Sequence, residues 1–503
     1  MNISKMIEAH SKRNPSWDAV ISEDQLLSWE DFNSRINRLG NALRRLGVNK
    51  GDRVAMYLPN SPEYLISYFA IARIGAVAVS FNIMYKGPEI KYIINNSEAS
   101  VLIAAAKEAG ENVLGIMEQL PTLKYIIVTG EGEVNGALVF SRLLDNETDT
   151  LETTDCEPDD PVTIMYTSGT TGLPKGAMLT HYNFWEQADL NGCYILHIND
   201  QDRILTGAPF CHIFFITTVL GPIYKGAAIV TMPRFYPEKA LELISRFRIT
   251  HFCGVPTMYI YMLQHYQQNR DKYDLSSWRF AQSAGSAMPA ENIIQIESNF
   301  GVGYCECYGA TETSAACSYE RLGHRKPGSI GLPAHTWQVR IVDDENREVP
   351  DGEVGEIVLK GPGLFKGYWQ MPEETSAAFT DGWFHTGDLA RRDEDGYIFI
   401  VDRKKDLIIC GGYNIYPREI EELIFTHPAV LEVAIVGVPD EAKGEIPKAF
   451  VVLKAGMNVS SEEIISFCKE RLAAYKVPRI IKFCKELPKS ATGKILKRKL
   501  EGK

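Results

Sequence analysis

The sequence has no uninterrupted apolar stretch long enough to indicate a membrane-spanning helix. The most apolar segment, residues 64 to 81, is interrupted by Arg73 and Gly75, which favours a core helix followed by a buried strand. The N-terminal segment MNISKMIEAHSKRNPSWD lacks the apolar core that a secretory signal carries. We therefore expect a cytoplasmic protein without an integral membrane segment.

Paired cysteines and an excess of basic residues are also missing. The ten cysteines are scattered singly except for Cys305 and Cys307, which excludes an obvious zinc site and indicates a reducing compartment. The formal net charge of −11 argues against non-specific binding of nucleic acid. What remains is a globular enzyme or binding protein whose 503 residues are enough for two or three domains.

The first third of the chain alternates between strand and helix patterns. DRVAMYL and AVAVSF are typical of buried strands, and SPEYLISYFAIARIG between them predicts a helix with Ser61 as N-cap and Pro62 in its first turn. The alternation resumes with AAIVTM and PEKALELISRFR. Strands that alternate with helices predict doubly wound, mostly parallel sheets, so the fold class is α/β.

The pattern changes twice towards the C-terminus. From about residue 330 to residue 403, short strands with acidic and glycine turns predict a β-rich subdomain. After the charged segment DRKKD an α+β unit begins, and Ser460 with Glu463 predicts a capping box at its last helix. We therefore predict a large N-terminal domain (residues 1–403) that includes the β-rich subdomain, and a small C-terminal α+β domain (residues 404–503).

The segment YTSGTTGLPKG, residues 166 to 176, is dense in hydroxyl groups and glycines and contains Lys175. It is not a complete Walker P-loop, because Pro174 replaces the second glycine and Gly176 replaces the hydroxyl residue. The apolar run PVTIM before it and the strand-like segment KGAMLT after it predict a strand–loop–strand unit. Many N–H and O–H donors with one cation suit a polyphosphate, and the alternative is a plain surface turn.

Three further segments carry polar side chains at turns. CYGATETSA presents Thr311 beside Glu312, and a carboxylate beside a hydroxyl is what a magnesium-bound nucleotide needs. Asp388 follows a Thr-Gly turn, where it can accept hydrogen bonds from both ribose hydroxyls. Lys494 follows a glycine near the C-terminus. The alternatives are a capping acid, a solvated turn and a charged tail, respectively.

The order of these segments resembles the acyl-adenylate-forming superfamily, which contains acyl-CoA synthetases, adenylation domains of peptide synthetases and firefly luciferase. The resemblance covers essentially the whole chain and includes PFCHIFF, SAGSAMP, GEIVLKGPGLFKGYW and DRKKD. It implies the acyl-CoA ligase branch, in which a carboxylate attacks the α-phosphorus of ATP and the thiol of coenzyme A then displaces AMP from the acyl-adenylate. ATP and coenzyme A are then substrates, and Mg²⁺ is the cofactor.

The resemblance assigns a role to each matching position. Glu312 would bind Mg²⁺, and Lys494 would bridge the carboxylate and the α-phosphate, where a compact charge on a flexible stem can follow moving oxygens. The residues implied to bind ATP are Thr167, Ser168, Gly169, Thr170, Thr171, Gly172, Lys175, Gly285, Ser286, Ala287, Tyr308, Gly309, Thr311, Asp388, Arg403 and Lys494.

The resemblance also implies an acyl pocket, lined by His212, Phe214, Phe215, Ile216 and Cys307. His212 would lie between the adenylate and this pocket, and the resemblance counts it with Lys494, Thr311 and Glu312 among the catalytic residues. For one of the two phenylalanines, plain core is the alternative. Cys307 stands where the family commonly has glycine, and Ile216 where one long-chain subgroup has a gating tryptophan. A fatty acid of medium to long chain is the leading substrate, with an aryl or alicyclic acid as the alternative.

The C-terminal domain is implied to be mobile, with Lys405 as its pivot and with Gly411 and Gly412 allowing pantetheine to pass close to the backbone. Two other functions stay open. The same chemistry can load a carrier protein, and a nucleotide-binding regulatory protein would show no turnover, although Lys494 and Glu312 disfavour that alternative. The expected partners are a carboxylic acid, ATP and coenzyme A, and the resemblance allows a homodimer.

Overall fold

The computed structural model describes residues 1–132, 134–167, 174–286, 288–489 and 495–500. The chain divides into two compact units. The first unit comprises Met1–His324, Pro333–Trp337 and Gly361–Phe379, and the second comprises Arg325–Leu332, Gln338–Lys360 and Thr380–Lys503. The predicted boundary between residues 403 and 404 lies inside the second unit and stays a prediction.

Two sheets, largely parallel, form the first unit. Sheet A runs in the spatial order Leu26–Ser28, Asp18–Ile21, Ala228–Val230, Arg203–Thr206, His251–Gly254, Phe280–Ala284, Gly303–Ala310 and Ala315–Tyr319. Sheet B runs in the order Gly367–Tyr368, Lys175–Thr180, Pro161–Thr167, Val77–Ser80, Arg53–Tyr57, Val101–Ala105, Tyr125–Thr129 and Leu138–Val139. Antiparallel pairs occur towards the ends of both sheets, and one of them encloses the donor-rich loop.

Helices connect these strands, and all of them except Pro372–Ala377 have buried residues. They are Lys5–Arg13, Trp29–Arg45, Pro62–Arg73, Gly87–Ser97, Ala106–Asn112, Phe140–Asp145, His181–Asp189, Gly221–Lys225, Pro237–Phe247, Pro256–Gln268, Ala290–Phe300 and Pro372–Ala377.

The helix predicted after Ser61 is confirmed, because the Ser61 side chain accepts a hydrogen bond from the Tyr64 N–H and a buried strand follows the helix. Among the described residues, no helix is long and apolar enough to cross a membrane. The parallel sheets with connecting helices confirm the predicted α/β fold class.

The second unit is built from two sheets whose strands pair mainly antiparallel. Sheet C contains Gln338–Val342, Gly355–Lys360, Trp383–Arg392 and Ile398–Arg403. Sheet D runs Tyr413–Ile415, Ile408–Cys410, Gly444–Leu453 and Val430–Asp440, and Ile480–Phe483 joins Gly444–Leu453 in parallel. The short strands Leu332–Pro333 and Phe379–Thr380 lie where the chain passes between units. The unit's helices are Pro417–Phe425 and Ser461–Lys469, and Ser460 and Glu463 form the predicted capping box.

Candidate active site

The donor-rich loop is enclosed by an antiparallel hairpin of sheet B. The two strands pair so that Thr167 lies opposite Lys175. The Tyr166 hydroxyl donates to Oδ1 of Asn96 at 2.6 Å, which ties the hairpin to the helix Gly87–Ser97. The predicted strands on both sides of the loop are therefore confirmed. The predicted phosphate-binding residues Ser168, Gly169, Thr170, Thr171 and Gly172 lie outside the described residues.

Glu312 and Lys175 contact the same side chain, that of Tyr368. The Tyr368 hydroxyl donates to Oε1 of Glu312 at 2.9 Å, and the Lys175 ammonium lies 5.1 Å from the centroid of the Tyr368 ring. Burial, with the nearby charge of Glu312, raises the pKa of Tyr368, so its hydroxyl keeps its proton at neutral pH. One tyrosine thus connects the cation of the hairpin with the carboxylate predicted to bind Mg²⁺.

Gly309 allows a close backbone approach just before Glu312. A Cβ at Gly309 would lie only 1.8 Å from the carbonyl oxygen of Ala315 on the neighbouring strand. After the strand, a short helical turn begins, and the Thr313 hydroxyl hydrogen-bonds backbone groups on both sides of it. This turn presents Thr311 and Glu312, both partly exposed, at the carboxyl end of a strand of sheet A.

Gly285 and Ser286 follow the neighbouring strand of sheet A, which runs parallel to the strand of Tyr308. Gly285 has a φ of +89°, in the left-handed region that favours glycine, and both residues are exposed. Nucleotides bind at the carboxyl ends of parallel strands in doubly wound sheets, and the structure brings Gly285, Ser286 and Tyr308 to this edge. Ala287 lies outside the described residues.

His212 is held by an amide from the end of another strand. Its Nε2 lies 3.3 Å from Nδ2 of Asn82, and because an amide nitrogen only donates, the ring proton resides on Nδ1. The Met84 N–H donates to Oδ1 of Asn82 and fixes this amide orientation. The ring keeps some exposure, but the surrounding protein desolvates it and lowers its pKa to about 4. The imidazole is therefore neutral at pH 7.

The two phenylalanines predicted to line the acyl pocket differ in their packing. Phe215 has 0% exposure, and its ring centroid lies 4.5 Å from that of Tyr68 and 6.0 Å from that of Phe210. Phe214 is only partly buried, and its ring contacts no other aromatic ring in the part of the chain that the structure describes. Phe215 is thus part of an aromatic cluster in the core, whereas Phe214 lies at its margin.

Ile216 and Cys307 are both buried. Cys307 lies on the strand Gly303–Ala310, with its Sγ 3.9 Å from that of Cys305, and both thiols are free. The Cys307 side chain occupies space that a glycine at position 307 would leave open. The assignment of these residues to an acyl pocket stays a prediction.

In the second unit, Asp388 and Arg403 lie opposite each other on paired strands of sheet C. Nε of Arg403 is 3.1 Å from Oδ1 of Asp388. The Asp388 N–H donates to the Thr386 hydroxyl at 3.1 Å, which shapes the turn before the carboxylate. The structure thus brings Asp388, which is predicted to accept hydrogen bonds from the ribose hydroxyls, next to Arg403, another predicted ATP-binding residue.

The predicted pivot, Lys405, is exposed and lies in a short helical turn after sheet C. Its ammonium has no charged partner among the described residues, whereas that of Lys404 lies 2.8 Å from Asp344. Gly411 and Gly412 turn the chain between two strands of sheet D with φ values of +59° and +85°. A Cβ at either position would meet no atom within 4 Å, so there is room for a side chain. Glycine is favoured at these two positions by the positive φ alone.

Lys494 lies outside the described residues, but both of its flanks are anchored. The Leu496 N–H donates to the carbonyl of Pro488 at 2.8 Å. Nζ of Lys497 lies 2.7 Å from Oε1 of Glu421. Burial by itself would lower the pKa of Lys497, but the neighbouring carboxylates outweigh this effect and raise it.

Comparison with known families decides the classification. Residues 7–369 match the family model of the AMP-binding enzyme, and residues 419–494 match that of the AMP-binding enzyme C-terminal domain. The chain belongs to the AMP-binding enzyme family. Lys494 is the last residue that the C-terminal model of this AMP-binding family matches.

Relatives of this chain align with it over nearly their full length. The long-chain-fatty-acid–CoA ligase of Bacillus subtilis (strain 168) is 36% identical, covering 99% of this chain and 94% of that protein. The feruloyl-CoA synthase of an Amycolatopsis species is 37% identical, with 97% and 96% coverage. The crystal structure of the anthranilate CoA ligase AuaEII in complex with anthranoyl-AMP has a TM-score of 0.93 at 33% identity, with 99% and 96% coverage. The predicted superfamily is therefore confirmed.

Sequence reasoning did not predict two contacts of this site. Tyr368 belongs to the segment GEIVLKGPGLFKGYW, which is part of the family resemblance. The sequence alone does not show that the Tyr368 hydroxyl donates a hydrogen bond to Glu312. No motif in the sequence marks Asn82 as a site residue. Its amide lies beside His212 only because of the fold.

Proposed function

We propose that this protein is an ATP-dependent carboxylic acid–CoA ligase that forms AMP and pyrophosphate through an acyl-adenylate and acts on a fatty acid of medium to long chain. The observation that carries the proposal is the set of contacts that Tyr368 makes with Lys175 and Glu312, because it combines a cation of the donor-rich hairpin with an acidic side chain. The fatty acid ligase of Bacillus subtilis supports this substrate class.

The first half-reaction brings two anions together, so positioning and charge neutralisation are the main demands on the protein. An oxygen of the substrate carboxylate forms the bond to the α-phosphorus, and pyrophosphate leaves with the electron pair of the broken P–O bond. Lys175 and the hairpin donors would bind the departing phosphates, Thr311 the α-phosphate, and Lys494 both reacting groups. No side-chain nucleophile is required.

The surroundings of Glu312 fit a Mg²⁺ ion. Proteins usually hold Mg²⁺ through one or two carboxylates together with substrate phosphates and waters. In the part of the chain that the structure describes, Glu312 has no ion-pair partner, and Tyr368 bonds only its Oε1, which leaves Oε2 for a metal ion. A bound Mg²⁺ would neutralise charge on the phosphates.

In the second half-reaction the sulfur of coenzyme A would attack the acyl carbon, and AMP would leave with the electron pair of the broken C–O bond. We propose that residues 404–503 move about Lys405 between the two halves. The exposure of Lys405 and the open space around Gly411 and Gly412 support this movement. A neutral His212 can donate its Nδ1–H near the reacting groups without adding a charge to them.

A second candidate is an aryl acid substrate. The identity to the feruloyl-CoA synthase is as high as the identity to the fatty acid ligase, and the side chain of Cys307 reduces the space that a glycine would leave.

We also propose a cytoplasmic location, because all ten cysteines are free, and a homodimer, on the family resemblance alone.

The test is pyrophosphate release from ATP with a matched panel of fatty, aryl and alicyclic acids, followed by AMP release with and without coenzyme A. We expect release only when an acid is added, the highest kcat/KM for a fatty acid, and AMP release that requires coenzyme A. Glu312→Gln is the control, since it keeps the shape of the side chain and removes its charge.

Each alternative has its own outcome in this test. ATP binding without pyrophosphate release from any acid would support the regulatory protein. AMP release with a carrier protein but not with coenzyme A would support carrier loading. The highest kcat/KM for an aryl acid would replace the fatty acid as substrate.

A further inference from the structure

We propose that Tyr368 is a positioning residue of the adenylation site: it orients Glu312 towards the metal ion and, as a spacer, keeps Lys175 from pairing with that carboxylate. The inference rests on the proposed function, because it assigns a task within the ATP site. It goes further in naming a side chain that acts through two others and is not itself expected to touch the reacting atoms.

The segment that carries Tyr368 fixes Glu312 at two points. The Tyr368 hydroxyl bonds Oε1 at 2.9 Å, and the Phe365 N–H donates to the main-chain carbonyl of Glu312, also at 2.9 Å. The rings of Phe365 and Tyr368 pack edge to face with centroids 4.8 Å apart. Side chains that hydrogen-bond a metal-binding carboxylate fix its orientation, and this contact leaves Oε2 for the metal ion.

Tyr368 is itself held against the hairpin. It lies opposite Ala177 on the paired strand, and Ala177 and Lys175 are two residues apart, so their side chains share one face of sheet B. The Tyr368 N–H donates to the Thr375 hydroxyl at 2.9 Å. The register of the strands therefore brings the ring within 5.1 Å of the Lys175 ammonium.

The same geometry separates two opposite charges. Lys175 and Glu312 form no salt bridge in the described part of the chain, and each contacts Tyr368 instead. A direct ion pair between Lys175 and Glu312 would compensate both charges before ATP binds, because each charged group is stabilised by an opposite charge in contact with it. With Tyr368 in place, the ammonium stays available to phosphate and the carboxylate to a divalent cation.

Three variants separate the two tasks of Tyr368. Tyr368→Phe keeps the ring beside Lys175 and removes the hydroxyl from Glu312, whereas Tyr368→Leu removes both. Tyr92→Phe is the matched control, because it removes a tyrosine hydroxyl that donates to the same hairpin, at the carbonyl of Pro174 (2.9 Å). Among the described residues, this hydroxyl bonds no carboxylate. The midpoint of thermal unfolding verifies that each variant is folded.

The readout is the affinity for Mn²⁺, a probe for Mg²⁺, measured by calorimetry on the complex with α,β-methylene-ATP, which cannot release pyrophosphate. Tyr368→Phe should weaken Mn²⁺ binding about 10- to 100-fold. Its affinity for the nucleotide in EDTA should match that of the wild type. Tyr368→Leu should bind the nucleotide about 2 to 5 times more weakly in EDTA, because Lys175 can then pair with Glu312 instead of phosphate. Tyr92→Phe should change neither quantity.

Kinetics and a double variant complete the test. Excess Mg²⁺ should restore kcat of pyrophosphate release in Tyr368→Phe. If the hydroxyl acts through Glu312, adding Tyr368→Phe to Glu312→Gln should change Mn²⁺ affinity by less than about twofold. Wild-type Mn²⁺ affinity in Tyr368→Phe, or full additivity of the two substitutions, would overturn this inference alone. A wild-type enzyme that releases no pyrophosphate with any acid would instead overturn the proposed function.

Discussion

The neighbouring residues Phe214 and Phe215 should respond in opposite ways to truncation to alanine. The family resemblance implies that both line the acyl pocket, but their packing differs. The Phe215 ring has 0% exposure and lies among Tyr68, Phe210 and other rings, whereas Phe214 is only partly buried. We expect Phe215→Ala to lower stability with little change in substrate preference, and Phe214→Ala to change substrate preference with little loss of stability.

The magnitudes follow from burial. Removing a fully buried phenylalanine side chain costs about 3–5 kcal/mol of unfolding free energy, because the transfer term and the cavity term add. The ring pair with Tyr68, at 4.5 Å between centroids, puts the expected loss for Phe215→Ala at the upper end of that range. Phe214→Ala should cost only about 1 kcal/mol, since no comparable cavity forms.

Two measurements on the same pair of variants test this expectation. The first is the change in unfolding free energy with urea, followed by tryptophan fluorescence. The second is the ratio of kcat/KM values across fatty acids of increasing chain length. One methylene group more or fewer in an apolar pocket shifts such a ratio by about 1–3 kcal/mol. Equal destabilisation of both variants, or a change of chain-length preference in Phe215→Ala alone, would refute the reasoning.

Four further predictions follow from the site and its surroundings. Lys494→Ala should abolish acyl-AMP formation yet leave CoA capture of supplied acyl-AMP largely intact, and equal loss of both half-reactions would contradict its role. Cys307→Gly should shift preference towards longer or bulkier acids by about 1–3 kcal/mol, and an unchanged profile would remove residue 307 from the pocket. Lys405→Pro should keep single-turnover acyl-AMP formation but lower steady-state thioester formation by orders of magnitude. The reason is that proline fixes φ and restricts the residue before it. A parallel loss of both activities in folded protein would show that Lys405 is not the pivot. Burial lowers the pKa of His181 from 6.5 to about 4, so the unfolded chain takes up a proton first, and the contribution of His181 to stability is lost as pH falls through this range. Between pH 7 and pH 5 that loss is up to about 2 kcal/mol, and unfolding of His181→Gln should show correspondingly less pH dependence.

Local features of the fold were predictable from the sequence, because short-range chemistry decides them. The Ser61 cap and the Ser460–Glu463 capping box each depend on residues three positions apart, and both are confirmed. The strands that enclose the donor-rich loop were equally visible, since an apolar run and a strand-like segment border a cluster of turn residues.

Contacts across the fold were not predictable in the same way. Tyr368 and Glu312 are 56 residues apart, and Asn82 and His212 are 130 residues apart. Which side chains meet in these pairs depends on strand order and register, which follow from the packing of whole sheets and not from any local pattern. Family resemblance supplied the residues that match a motif, and it gave no role to Tyr368 or Asn82.

The close backbone approach at Gly309 sets a limit on how this protein can be varied. Even alanine would drive its methyl group against the carbonyl oxygen of Ala315, 1.8 Å from the ideal Cβ, so the two strands would have to separate beside Thr311 and Glu312. A mutant library that randomises position 309 along with its neighbours would therefore consist mostly of inactive clones. Efforts to obtain new acid specificities are better directed at positions 214 and 307, with the codon for Gly309 left unchanged.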